Sequence, residues 1–419
     1  MRTLALLLLP LPIVALAAAC ASSAESTTAS TPPTGGATSS STTTGGAGGA
    51  TTSSTSSGGG GTEPALFASA ASYLVAQDGS SPQWLTTSDV DGDGEADLVT
   101  ANGGQNLMAD VSVLLGKGDG TFQPQVNTSL GFTTMEFAAI AYDFDGDHIA
   151  DLAVSEIAQM GGGAVVVLKG TGGGQFQPVD QGTVYLAQGQ PMHLVARDLD
   201  DDGYLDLVVP SQSGNGVRVF LGSATGTFTE AGIFLAGASP IGVAIADLDH
   251  DGVLDLVVAS YTGVSVLLGN GDGTFQAETT FAAGGDSRDI ALGDFDGDDE
   301  LDLAVADGTA NSVSVLLGNG DGTFGTALEL ASGSTPIAVV TADFDGDGRL
   351  DIAASNFQGN SVSVLLGNGD GTFQPAVHFP VGASPGGLVT ADFNDDGKPD
   401  LATSDIQDRD VSVLLNTSP

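Results

Sequence analysis

Between residues 63 and 419, short apolar runs alternate with clusters of Gly, Asp and Asn. One period, residues 290 to 333, shows the pattern: IALGDFDGDDELDLAVADGTANSVSVLLGNGDGTFGTALELASG. Its runs are short, apolar and often β-branched, which is the mark of strands. LDLAVAD is apolar nearly throughout, as a strand covered on both faces must be. NSVSVLLG follows, and then GNGDGTF, whose Gly and Asp suit a tight hairpin turn. The period therefore reads as four strands: one entering an acidic loop, one leaving it, a third, and a fourth after the turn. No part of this region carries a convincing amphipathic helical pattern.

The acidic loop occurs seven times, starting at Asp89, Asp143, Asp198, Asp247, Asp294, Asp343 and Asp392. Successive starts are 54, 55, 49, 47, 49 and 49 residues apart, so each copy is one supersecondary unit stacked on its neighbours. Loop positions 1, 3, 5 and 9 are acidic or amide in every copy. They are Asp89, Asp91, Asp93 and Asp97; Asp143, Asp145, Asp147 and Asp151; Asp198, Asp200, Asp202 and Asp206; and Asp247, Asp249, Asp251 and Asp255. The remaining copies supply Asp294, Asp296, Asp298 and Asp302; Asp343, Asp345, Asp347 and Asp351; and Asp392, Asn394, Asp396 and Asp400.

Four carboxylates this close repel one another unless the backbone curls them around a cation. Hard oxygen donors at that density suit Ca²⁺, which takes six to eight oxygens at ~2.3–2.6 Å. Up to seven calcium ions are expected. Position 6 must turn sharply, and five copies place Gly there; the exceptions, His148 and Asp299, tolerate left-handed backbone better than most residues. An EF-hand would need a bidentate Glu at position 12 and flanking helices. Position 12 is instead Thr100, Val154, Val209, Val258, Val305, Ala354 and Thr403, so the acidic loop joins two strands.

Seven antiparallel four-stranded units make an all-β, seven-bladed β-propeller the natural solution. The motif D-x-D-x-D-G-x-x-D-L, together with the G-x-G-T-F turn, resembles the FG-GAP or VCBS repeat of the integrin alpha-subunit propeller and of bacterial surface proteins. The resemblance covers residues 63 to 419. It implies four-stranded blades with calcium in the loop between a blade's first two strands. A ring must also close. The last copy stops at DVSVLLNTSP, after its third strand, whereas residues 63 to 82 align with residues 374 to 385, a fourth strand elsewhere. The N-terminal segment is therefore expected to complete the last blade and leave no open sheet edge.

The formal charge is −43, and the acidic loops hold more than half of the 52 acidic residues. A surface of this sign argues against nucleic acid and anionic membranes as partners. The single cysteine, Cys20, excludes an intramolecular disulfide. It ends the stretch MRTLALLLLPLPIVALAAAC, whose apolar run is short for a membrane span and suits a signal peptide over residues 1–19. LAAAC resembles the lipobox of bacterial lipoproteins, which implies lipidation of Cys20. Residues 20–62 are nearly all Ser, Thr, Gly and Ala, a flexible spacer, and residues 63–419 form the propeller head. The expected layout is an exported monomer at the bacterial cell envelope or outer-membrane surface. It would touch the membrane only through its lipid, or else be secreted.

Strand alternation puts the acidic loops and the GDGTF turns on one face and the irregular loops on the other. Binding residues on rigid scaffolds concentrate in variable loops. The irregular face is thus expected to carry the contacts, with Trp84, Phe137, His193, Arg288, Phe357 and Arg409 as candidates. No Ser/His/Asp signature, zinc pattern or phosphate loop appears, so no catalytic residue is assigned. The sequence fits a calcium-stabilised recognition or adhesion module for an extracellular protein or carbohydrate. A structural envelope protein and an extracellular glycan-active enzyme are the alternatives.

Overall fold

The computed structural model describes residues 66–76, 80–103, 110–130, 135–157, 162–187 and 189–419. Cys20 and the spacer lie outside them. The head consists of seven four-stranded antiparallel sheets. Six are continuous in sequence, spanning residues 81–129, 135–186, 195–235, 240–281, 287–331 and 336–380. The seventh joins Pro385–Ala391, Asp400–Asp405 and Asp410–Leu414 to the N-terminal strand Ala71–Leu74. The first strand of blade one (Ser81–Ser88) packs against those of blades two and seven, first-strand contacts run on from blade three to blade seven, and an apolar cluster joins blades two and three, so the ring is closed.

The core is divided among seven apolar clusters, each lying between two adjacent blades. Alternation along the second strand explains this arrangement. In blade four, Leu256 and Val258 pack toward blade three, while Val257 and Ala259 pack toward blade five. Both faces of the strand are covered, which is why the sequence is apolar without a polar alternate. Each second strand is buried along nearly its whole length.

Closure is built to the same pattern as the other blades. In blade six, Gly367 bridges Phe373 across the turn; in blade seven, Asn416 bridges Phe67 from the other end of the chain. Ala71 then pairs with Val413, and Leu74 with Asp410. Phe67 also meets Phe344 edge-on at 5.7 Å, matching the 5.5 Å pair of Phe373 and Phe295 one blade earlier. Because Phe67 stands where Phe373 does, the segment runs five residues out of step with a match on the Pro-Ala shared by residues 64–65 and 375–376.

Candidate functional site

Each acidic loop is folded by its own carboxylates. In blade six, Asp343 Oδ1 accepts from the backbone N–H of Gly346 (2.8 Å) and Asp347 (3.0 Å), and Oδ2 accepts from Gly348 (2.8 Å). Asp347 Oδ1 accepts from the N–H of Arg349 at 3.0 Å. Position 6 is left-handed throughout, including His148 (φ 67) and Asp299 (φ 70). Position 4 is left-handed as well, even where it is Asp201, His250 or Asp395. That second turn brings the acidic side chains round to one side.

Position 9 plays a distinct part. Asp351 is fully buried; its Oδ2 accepts from the N–H of Phe344 in the loop, and its Oδ1 from the N–H of Gly367 at the start of the hairpin turn, both at 2.8 Å. Asp97, Asp302 and Asp400 make the same two bonds, the last to Asn416. The loop is thereby fastened to the turn of its own blade. Turns are also fastened to the preceding blade: Gly371 N–H donates to Phe295 O at 2.9 Å, and Gly120 N–H to Phe393 O at 2.8 Å across the ring closure. Blade seven has no such turn, and Asn416 Nδ2 donates to Phe344 O (2.8 Å) in its place.

Carboxylate oxygens from positions 1, 3 and 9 converge in blades one, two, three and five, and from positions 1, 3 and 5 in blade four, each set within 4.8 Å. Burial, reinforced by the neighbouring aspartates, pushes Asp97, Asp206, Asp302, Asp351 and Asp400 up to about 6. Asp91, Asp200 and Asp296, all at position 3, each hold a buried Oδ1 with no hydrogen-bond partner. An acceptor-only cluster with unpaired inward oxygens fits a hard cation. Blade two differs, since Lys169 already pairs with Asp145 and with Asp147.

The other feature is the central channel, a cavity of about 310 Å³ lined by the first strands of all seven blades. The residue five places before each loop defines one layer of the repeats, Trp84, Ala138, His193, Gly242, Asp289, Ala338 and Gly387, of which Trp84, Ala138, His193 and Asp289 line the cavity. A β-bulge at this level aims the layer in blades one, two, five and six. Trp84 and His193 meet edge-on at 5.1 Å, although a blade separates them. Gly387 makes room for the indole, because a Cβ there would come within 3.2 Å of Trp84 Cδ2. Burial drops His193 to about 4, so its ring is neutral, and its buried Nδ1 has no partner. Burial raises Asp289 to about 7; its Oδ2 accepts from Val339 N–H at 3.0 Å.

Of the six candidate binding residues, Trp84 and His193 are brought together in this channel. Arg288 turns to an ion pair with Asp286 at 2.8 Å. Phe357 is buried, 7% exposed. Arg409 is exposed in the turn between the second and third strands of blade seven. Phe137 lies in the first strand of blade two, and its side chain is outside the described set. Sequence reasoning passed over Asp289, Tyr142 and Arg197, which also line the channel. Aligning the first strands would have exposed them. The residue just before each loop reads Ser88, Tyr142, Arg197, Ala246, Gly293, Ala342 and Ala391, mostly small with two large exceptions.

Fold and loops together define a seven-bladed propeller of acidic-loop repeats. The FG-GAP-like repeat model matches residues 89–154, 198–258, 247–305, 294–354 and 343–403, more than half of the chain. The chain belongs to the FG-GAP-like repeat family. No curated protein sequence matches it. Among solved structures it is similar to an Agrocybe aegerita lectin that recognises non-reducing terminal N-acetylglucosamine, with 21% identity over 71% of this chain and 80% of that one, at a TM-score of 0.50. It is also similar to BBS1N in complex with ARL6DN, with 14% identity over 84% and 97% of the two chains, at a TM-score of 0.55. A catalytically inactive virginiamycin B lyase from Staphylococcus aureus with quinupristin gives 14%, 82%, 98% and 0.54 in the same order. Identities this low show a shared fold. Among the described residues, no helix is long and apolar enough to cross a membrane.

Proposed function

We propose that the protein is a calcium-stabilised recognition or adhesion module, held at the cell envelope through Cys20 and binding an extracellular carbohydrate or protein. One observation carries the calcium reading: convergent carboxylates whose inward oxygens at Asp91, Asp200 and Asp296 are buried and unpaired. A cation at each loop would relieve the repulsion and set the geometry of the turn above it. The fold leaves function open, since a lectin and a lyase share it. Binding is favoured over catalysis because His193 has no carboxylate bonded to its Nδ1 to orient it as a base. The test is a glycan array run with calcium and with chelator. Calcium-dependent capture of a defined glycan class is expected, and the absence of any capture in calcium would overturn the carbohydrate reading. For the tether, Cys20→Ser should release the protein from the membrane fraction; mutant protein that stays there after a salt wash would refute the anchor.

A further inference from the structure

We infer that the central channel is a binding pocket, open on the acidic-loop face, for a single acidic pyranose such as a uronic acid unit. The inference rests on the recognition reading and gives it a place and a chemistry. It also moves binding from the irregular face, where the sequence pattern pointed, to the opposite one.

The mouth is fixed by the chain itself. Tyr142 and Arg197 immediately precede Asp143 and Asp198, so both stand at the loop end of the channel, and both are exposed. Trp84, His193 and Asp289 lie four residues deeper along the strands, ~13 Å at ~3.3 Å per residue. The pocket therefore has a cationic rim, aliphatic walls such as Ile140, Val195 and Val340, and a floor of one indole and two polar groups.

Charge selects the outer end of the ligand. Lys117, Lys169, Arg218, Arg288, Arg349 and Lys398 each hydrogen-bond or ion-pair within the protein. Arg197 has no such partner among the described residues, in a chain of net charge −43. A guanidinium with no partner of its own gives one carboxylate a bidentate seat, and calcium bound in the loops would offset part of the acid around it. The floor selects the inner end. His193 is neutral, so it offers one donor and one acceptor, the complement of a hydroxyl. Asp289, raised by burial, also suits hydroxyl partners over a fixed charge. An apolar ligand would leave His193 Nδ1 unpaired, and a cation would meet Arg197. A pyranose offers hydroxyls to the floor and a C–H face to Trp84 and the walls, and its carboxylate reaches the rim. The cavity lies at the small end of ligand pockets, roughly 300–1,000 Å³, so it takes one ring and no more.

Trp84 is the only tryptophan in the chain, so its fluorescence reports on the floor alone. The full-length protein in calcium is titrated with the methyl glycosides of glucuronic and galacturonic acid, with methyl glucoside, and with acetate. A saturable change with at least one uronide is expected, with the neutral glycoside at least about tenfold weaker and acetate inert. Arg197→Met should lower uronide affinity about tenfold and erase the preference over the neutral sugar, with the melting temperature unchanged. Arg409→Ala should change nothing. No saturable response to either uronide, equal affinity for the neutral glycoside, or an unaffected Arg197→Met would overturn the pocket. Glycan capture on an array without any response from Trp84 would overturn the pocket and leave the recognition module standing. No capture on the array together with no Trp84 response to either uronide would overturn the pocket and the carbohydrate reading together.

Discussion

The aspartates of one loop look equivalent in sequence and are not equivalent in the fold. Asp302 is buried and accepts two backbone N–H groups, from Phe295 at 2.7 Å and Gly318 at 2.8 Å. Asp298 is exposed and accepts one, from Glu300. Asp302→Ala would strand two buried donors, so it should destabilise by roughly 2–5 kcal/mol with or without metal. Asp298→Ala should matter only when metal is bound, where losing a site filled at 100-fold over its dissociation constant costs ~2.7 kcal/mol. In chelator it should be neutral or slightly stabilising, because it removes one of several like charges. Thermal melts of both variants in calcium and in excess chelator check this. If the two variants respond alike to chelation, position 9 has no separate structural role. The spacing showed that position 9 was acidic. One of its two backbone bonds, the one to Oδ1, comes from a turn 14 to 19 residues downstream, which the local pattern does not contain.

At the scale of elements, the strands were legible because burial on both faces leaves a run apolar nearly throughout. LDLAVAD was expected as a strand and is Asp302–Asp307; NSVSVLLG contains Ser312–Leu316. The serines of the third strand, such as Ser314 and Ser363, look out of place in such a core. They are the polar partners of buried residues that end the second strand: Ser314 Oγ donates to Asp307 Oδ2 at 2.6 Å, and Ser363 Oγ accepts from Asn356 Nδ2 at 2.8 Å. These pairs in turn hold the connections between blades, as Gly284 N–H and Gly333 N–H bond to Asp307 and Asn356. The bulges of the first strands were not legible. A one-residue offset that re-aims Trp84 and Asp289 is fixed by pairing with the second strand, and period-2 alternation alone hides it.

For the whole molecule, the decisive contact is the one between chain ends. A chain begun at Glu63 keeps Phe67 and the strand Ala71–Leu74 and should fold as a closed monomer. A chain begun at Gln83 loses both, and Val75 with them, exposing the Asp410–Leu414 edge and the apolar side chains of Val411 and Val413 that Val75 packs with. It should melt several degrees lower and self-associate through that edge. Calorimetry with light scattering on the two chains decides it: equal melting temperatures with both monomeric would mean the ring does not need its N-terminal strand.

The sequence by itself determined the number of blades, the strand pattern within each, the acidic loops and the source of the closing strand. All of these follow from local spacing and from composition repeated seven times, so each copy corroborates the next. Only the tertiary structure decided what lies at the centre. Trp84, His193, Asp289 and Arg197 come from three different blades, with gaps of about a hundred residues between Trp84 and His193 and between His193 and Asp289. No local pattern relates them. They line one channel because closing the ring brings every first strand to a single axis, where each repeat's departures from the others collect.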